Sequence, residues 1–120
     1  MIESKQIESF VNFFNNNLTP PSDFKVGAEF EHFIIKKSNL ETVSYYEDKG
    51  IKNILKELEH SGWESNYEGD NIIGASKDES HLSLEPGGQL EISLKAEDKI
   101  KELENCYLDK IEDIIEICDR

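Results

Sequence analysis

Four short predicted strands lie between Trp63 and Leu94, and the brief segments that separate them constrain the fold strongly. These segments are Glu68 to Asn71, Lys77 to Glu79 and Pro86-Gly87-Gly88, and the first and last are rich in residues that favour turns. Connections this short suit hairpins, so we expect neighbouring strands to run antiparallel. The predicted strands cover residues 63–67, 72–76, 81–85 and 89–94.

Three predicted helices and one further strand surround this region. Apolar residues at helical spacing predict a first helix that Asn15 to Asn17 and Pro20-Pro21 end, a second helix over 50–60 that stops at Ser61-Gly62, and a long amphipathic helix over 97–120. That last helix sets six residues on one face: Ile100, Leu103, Tyr107, Ile111, Ile114 and Cys118. Period-two alternation over 24–35 predicts the strand.

This order of elements lacks the regular strand–helix–strand alternation of parallel sheets. It favours an α+β fold, an antiparallel sheet with helices on one face, built as one domain over residues 1–120. Hydrophobic residues make up 37% of the chain, enough for a folded core.

The net charge of −13 excludes whole classes of partner. Such a chain repels phosphate backbones and anionic bilayers, so we expect no nucleic-acid and no membrane partner. The sequence shows neither a secretory leader nor an apolar run of membrane-spanning length, which predicts a cytoplasmic protein. Cys106 and Cys118 lie roughly 18 Å apart along one helix and cannot bridge each other within it.

Carboxylates occupy strand positions that should be half buried. Glu29 and Glu31 lie two residues apart and therefore share one face of their strand. Glu85 and Glu91 each alternate with apolar neighbours in their own strands. If helices cover the apolar face, the other face gathers these four carboxylates together with Gln89. Crowded carboxylates repel, so such a face must bind protons or cations, and hard oxygen ligands favour Mg²⁺.

Each of these features also has a purely structural interpretation. A Glu-x-Glu strand is usually a solvated face, and the Glu85-to-Gln89 turn could be a plain hairpin. His32 is predicted to pack in the core and His60 to end a helix in solvent. His81 is predicted to lie at the surface, although its alternation with Leu82 would also allow it to face the acidic side. The sequence contains no Gly-x-x-x-x-Gly-Lys phosphate loop and no arrangement that suggests a covalent nucleophile.

Two motifs together resemble the plant-type and proteobacterial family of glutamate–cysteine ligases. The first is Val26-Gly27-Ala28-Glu29-Phe30-Glu31-His32-Phe33, which resembles the Gly-x-Glu-x-Glu strand of that family. The second is Ser83-Leu84-Glu85-Pro86-Gly87-Gly88-Gln89-Leu90-Glu91-Ile92-Ser93, which resembles its Ser-Leu-Glu-Pro-Gly-Gly-Gln-x-Glu-x-Ser signature. The resemblance spans about residues 24 to 110.

The resemblance implies a sheet related to glutamine synthetase and an ATP-dependent ligase. Such an enzyme forms γ-glutamylcysteine from glutamate and cysteine through a γ-glutamyl phosphate, the first step of glutathione biosynthesis, with ATP as co-substrate and Mg²⁺ as cofactor. It assigns Glu29, Glu31, Glu85 and Glu91 as metal ligands and Gln89 as a ligand or hydrogen-bonding neighbour.

The length departs from the family pattern, because members run to several hundred residues. We therefore expect an N-terminal portion that is inactive alone and self-associates through surface that the remainder would cover. Two rivals stay open: another carboxylate–amine ligase of the same fold, and a non-catalytic binding or regulatory module.

Overall fold

The computed structural model describes residues 4–119 and contains three α-helices and five strands in that range. In chain order they are α1 (Ser4–Asn16), β1 (Glu29–Phe33), α2 (Ile51–Glu57), β2 (Glu64–Glu68), β3 (Asn71–Lys77), β4 (Ser80–Glu85), β5 (Gln89–Ser93) and α3 (Ile100–Cys118). Short 3₁₀ turns occupy Pro21–Asp23 and Leu58–Ser61. The predicted α+β class is confirmed, and the first helix ends at Asn16 as its polar stop predicts.

The five strands form one sheet in the order β1-β5-β4-β3-β2, and every neighbouring pair is antiparallel. This confirms the three hairpins and the place of β1 in the same sheet. β1 is shorter than the predicted strand over 24–35. Beyond its ends the contacts are isolated: Val26 bridges Glu97, Ile35 bridges Thr42, and the Leu94 amide donates to the Ala28 carbonyl oxygen at 2.9 Å.

The core lies between one face of the sheet and the helices α2 and α3. Buried side chains from both helices meet those of the three central strands, which confirms a helical layer on one face. α1 is the exception, because none of its residues is buried. The fully or nearly buried hydrophobic residues are Ile51, Ile54, Leu55, Leu58, Trp63, Ile72, Ala75, Leu82, Leu90, Ile92, Leu94, Leu103, Ile114 and Ile117.

The predicted buried face of α3 is wrong at both ends. Ile100 is 75% exposed, and Cys118 is also exposed, whereas Ile117 is buried. The more unexpected buried residue is Lys110, at 2% exposure. Its Nζ lies 2.8 Å from carboxylate oxygens of Asp78 and Asp109, so the buried charge is paired.

This ion pair also anchors the turn between β3 and β4. Asp78 and Glu79 have positive φ angles of 50° and 62°, a backbone conformation that residues other than glycine rarely adopt. Lys110 forms an ion pair with Asp78, and Nζ of Lys95 lies 2.6 Å from Oε1 of Glu79. The hydrogen bond and the charge of Lys110 keep the pKa of Asp78 below its ordinary value of 3.8. Burial alone would lower the pKa of Lys110, but its two carboxylate partners outweigh burial and raise it.

A β-bulge in β3 sets the register of the sheet edge. Asn66 pairs with Gly74, but Tyr67 pairs with Ile72, so Ile73 has no partner on β2. The bulge returns Ile72 to the core face and leaves Ile73 exposed. Next to it, a Cβ on Gly74 would lie 2.3 Å from the carbonyl oxygen of Leu82. Only glycine fits where the two strands approach this closely.

Gly74→Ala is therefore expected to destabilise the fold by about 1–3 kcal/mol, because backbone must move to admit the methyl group. Urea unfolding followed by circular dichroism measures this. Gly27→Ala is the matched control, since a Cβ there meets no atom within 4 Å. Equal free energies of unfolding for the two variants would contradict the close approach of β3 and β4.

Candidate functional site

Glu91 lies at the centre of the sheet face that points away from the helices. On β5 it stands directly opposite Glu31 of β1 on one side and Ser83 of β4 on the other. Directly opposed residues in an antiparallel pair have Cβ atoms about 5 Å apart. The two predicted metal ligands Glu31 and Glu91 are therefore cross-strand neighbours, as the acidic-face prediction requires.

Glu29 lies one step along the same face. Its cross-strand partner is Ser93, and it is a diagonal neighbour of Glu91. The Ser93 hydroxyl lies 3.0 Å from Oε1 of Glu91 and 3.4 Å from Oε1 of Glu29, so it donates mainly to Glu91 and faces both carboxylates. The face thus carries a serine between two of its acids.

Glu85 and Gln89 close the other end of this face. They pair with each other across the β4–β5 hairpin, and Glu85 is the second diagonal neighbour of Glu91. The amide of Gly88 donates to the carbonyl oxygen of Glu85 at 3.2 Å, and Gly87 and Gly88 have φ values of 84° and 78°. A proline followed by a residue at positive φ is typical of a type II turn, which explains Pro86-Gly87 between two site residues.

The same face continues beyond the predicted residues onto β3 and β2. His81 stands opposite Ser93 and Ser76, and its Nδ1 lies 3.1 Å from the Ser76 hydroxyl. Asn66 donates to that hydroxyl, also at 3.1 Å. His81 is exposed, as predicted, and it also lies on the acidic face. The residues that extend the face are Asn66 of β2 and Gly74 and Ser76 of β3. They form no recognisable sequence motif.

Of the other two histidines, His60 is exposed as predicted, whereas the core prediction for His32 holds only in part. His32 points to the helical side of the sheet and is half buried; its Nε2 lies 2.9 Å from the Tyr107 hydroxyl, and the two rings stack. His60 is exposed in the 3₁₀ turn that follows α2. Neither histidine joins the acidic face.

No lysine or arginine occupies a position on this face in the described strands β1 to β5. The ion-paired lysines hold other acids, as Lys77 holds Asp113 and Lys36 holds Glu47. The donors are hard oxygens of the kind that Mg²⁺ prefers. In their present rotamers, within residues 4–119, no three His, Cys, Asp or Glu side chains come close enough to hold a metal ion. The strands supply the right donors on one face, and side-chain rotation would have to bring them together.

Comparison with known proteins relates most of this chain to part of the plant glutamate–cysteine ligases. It is 31% identical to glutamate–cysteine ligase A, chloroplastic, of Oryza sativa subsp. japonica over 93 residues, which are 78% of this chain and 18% of the rice protein. It is 33% identical to the chloroplastic enzyme of Nicotiana tabacum over 86 residues, 72% of this chain and 16% of that protein. The chloroplastic enzyme of Arabidopsis thaliana is 30% identical over the same length.

The chain spans less than a fifth of the length of the curated relatives it matches. No protein-family model matches it. The resemblance noted from the two motifs is therefore supported as distant and partial similarity to this ligase family. Among residues 4–119, every helix is too short or too polar to traverse a bilayer.

Crowding of the four carboxylates predicts a measurable effect on stability. Because Glu91 neighbours Glu29, Glu31 and Glu85, Glu91→Gln should stabilise the metal-free chain by about 0.2–1 kcal/mol at low ionic strength. Unfolding in urea at low salt and at 1 M salt measures this, and the gain should vanish at high salt, which screens the repulsion.

The control is Glu112→Gln, which makes the same change in net charge on the exposed side of α3. A gain equal to that of Glu91→Gln would show that only net charge matters. The acidic face would then be no more crowded than the rest of the surface.

Proposed function

We propose that this chain forms the Mg²⁺-binding and ATP-binding side of a glutamate–cysteine ligase active site. The observation that carries the proposal is the cross-strand pair Glu31–Glu91, formed by the two motifs that resemble those of the ligase family. Those motifs lie about sixty residues apart in the chain, and the sheet joins them. Similarity over 78% of the chain to a named ligase supports the same conclusion.

In this proposal Glu29, Glu31, Glu85 and Glu91 hold Mg²⁺, and Gln89 is a further ligand or a hydrogen-bonding neighbour. The metal would neutralise charge on the phosphoryl group that passes from ATP to the γ-carboxylate of glutamate, after which the amine of cysteine displaces phosphate. The protein contributes a fixed row of oxygen donors. Ser93 would restrain the Glu91 carboxylate, and the rigid turn at Pro86-Gly87 would fix Glu85 and Gln89.

The acceptor amine is the less constrained part of the proposal. The acidic face supports metal and phosphoryl chemistry, but no described residue distinguishes cysteine from another amine. A carboxylate–amine ligase with a different acceptor is therefore the second candidate, and comparing cysteine with other amines as substrates separates the two. A cytoplasmic location also stays a prediction; the name "chloroplastic" belongs to the plant relatives.

A direct test uses Mn²⁺ as a paramagnetic stand-in for Mg²⁺. In two-dimensional NMR spectra of the ¹⁵N-labelled chain, Mn²⁺ should broaden the amide signals of β1, β5 and the end of β4 first, because those strands carry the four carboxylates. Excess Mg²⁺ should restore the signals.

Glu31→Gln and Glu91→Gln should each weaken Mn²⁺ binding at least about tenfold, since each removes one anionic ligand. Glu116→Gln, on the exposed side of α3, should leave it unchanged. Broadening spread evenly over all acidic surfaces would overturn the metal site.

We also expect the 120-residue chain alone to make no γ-glutamylcysteine from ATP, glutamate and cysteine. Transfer of a phosphoryl group needs cations around its oxygens, and the acidic face carries no lysine or arginine. Mass spectrometry of the reaction mixture detects the product directly. Turnover that tracks the purified chain, and disappears with Glu91→Gln, would show that no further cationic groups are needed.

A further inference from the structure

Helix α1 presents an apolar stripe that nothing in the described structure covers. Ile7, Phe10, Val11 and Phe14 follow the i, i+3, i+4, i+7 spacing of one helix face and are 51–67% exposed. A 13-residue helix of this kind is marginal in water without a packing partner. The stripe therefore marks a contact surface.

A partly apolar groove lies between the end of β1 and helices α2 and α3. Its apolar lining is Ile34, Ile35, Val43, Ile54 and Ile117, the rest of its lining is mostly charged, and its volume is about 630 Å³. A smaller groove of about 300 Å³ adjoins it through Ile34, Ile35 and Cys118, and adds Phe33, Ile111 and Ile115. We call the two together the β1–α3 groove.

We propose that the β1–α3 groove binds α1 of a second copy of this chain, so that two copies exchange their first helices reciprocally. This is a contact between two surfaces that a single copy leaves open, and it holds whatever reaction the acidic face serves. A reciprocal exchange closes after two copies, which predicts a dimer.

The distribution of charge favours α1 of a second copy as the occupant of the groove. The chain carries a net charge of −13, so most of its surface repels a second copy. α1 is the exception, because its residues Ser4–Asn16 contain one lysine and one glutamate. The groove lining is nearly balanced in charge, with three basic and four acidic side chains. Two ion pairs among them are formed within the copy: Lys36 lies 2.7 Å from Glu47, and Lys37 lies 2.6 Å from Asp119. A neutral helix therefore meets little repulsion at this groove.

The extended shape of the described residues favours exchange of α1 between two copies over packing of α1 onto its own copy. The described residues measure 62 × 37 × 25 Å with a radius of gyration of 19.2 Å, whereas a compact chain of this length has about 14 Å. Pro20 holds an extended conformation with φ −66° and ψ 148°, and Pro21 begins the next turn. Two adjacent prolines stiffen this part of the connection, and no residue of α1 is buried against its own copy.

The contact area is adequate for a stable dimer. Covering the stripe removes roughly 400 Å² of α1 from water, since a phenylalanine side chain buries about 150–250 Å² when fully covered. The groove contributes a similar area, and two exchanged helices bring the total to roughly 1,600 Å², the standard size for a specific interface.

The first experiment is sedimentation equilibrium or light scattering on the 120-residue chain. We expect twice the 13.8 kDa mass of one copy at high concentration. Phe10→Ser with Phe14→Ser, and separately Ile35→Ser with Ile115→Ser, should each raise the dimer Kd at least about tenfold. These side chains are exposed in one copy, so the fold should survive the changes.

Leu108→Ser and Asn12→Ala are the controls. Leu108 is an exposed apolar residue of α3 outside the groove, and Asn12 lies on the polar side of α1; both variants should dimerise normally. A wild-type monomer at high concentration would overturn the proposal, and so would assemblies that grow beyond two copies. Loss of the dimer in the α1 variants but not in the groove variants would assign the stripe to helix–helix pairing instead.

Disulfide trapping locates the contact independently. Cys118 lines the groove, so a thiol introduced by Asn15→Cys, beside the stripe, should form an intermolecular disulfide with it, while Asn12→Cys should not. Peptide mapping by mass spectrometry identifies the joined peptides.

A monomeric chain whose α1 variants lose binding to neutral phosphatidylcholine vesicles would assign α1 to a lipid surface and overturn the dimer.

Discussion

The antiparallel pairing of β1 with β5 is the interaction on which the candidate site depends. It joins residues 29–33 to residues 89–93, at opposite ends of the sheet-forming part of the chain, and sets Glu31 beside Glu91. A shift of one residue would send every side chain of β1 to the other face and place the two glutamates among the core residues. His32 helps to fix the register, since it lies on the helical face between Leu90 and Tyr107.

The opposite face of the same strands holds the sheet to α3. Ile92 and Leu82 are cross-strand partners and both are buried, as is Leu90. Leu103, Ile114 and Ile117 of α3 belong to the same core. Burial of these apolar groups is the main favourable term that can offset four neighbouring carboxylates on the other face. The apolar and the acidic faces of β5 are thus two consequences of one alternating sequence.

Lys110 shows how a polar residue can belong to a core. Its side chain is almost fully buried, and its ammonium group donates to the carboxylates of Asp78 and Asp109, each at 2.8 Å. The contact ties the last helix to the β3–β4 turn, whose two residues have positive φ without glycine. Removing either partner would leave charge unpaired or release the turn, so helix and hairpin depend on each other.

By itself, the sequence determined the element types, the antiparallel hairpins and the alternation that separates carboxylates from apolar residues. These follow from local periodicity and from turn residues such as Pro86-Gly87-Gly88, which act over a few positions. Only the tertiary structure decided the pairing of Glu31 with Glu91 rather than another acid, the burial of Lys110 and the exposure of Ile100. It also decided the bulge at Ile73 and the exposure of the α1 stripe. Each depends on which segments meet across dozens of residues, and helical or strand periodicity records how a segment is patterned but not which partner covers it.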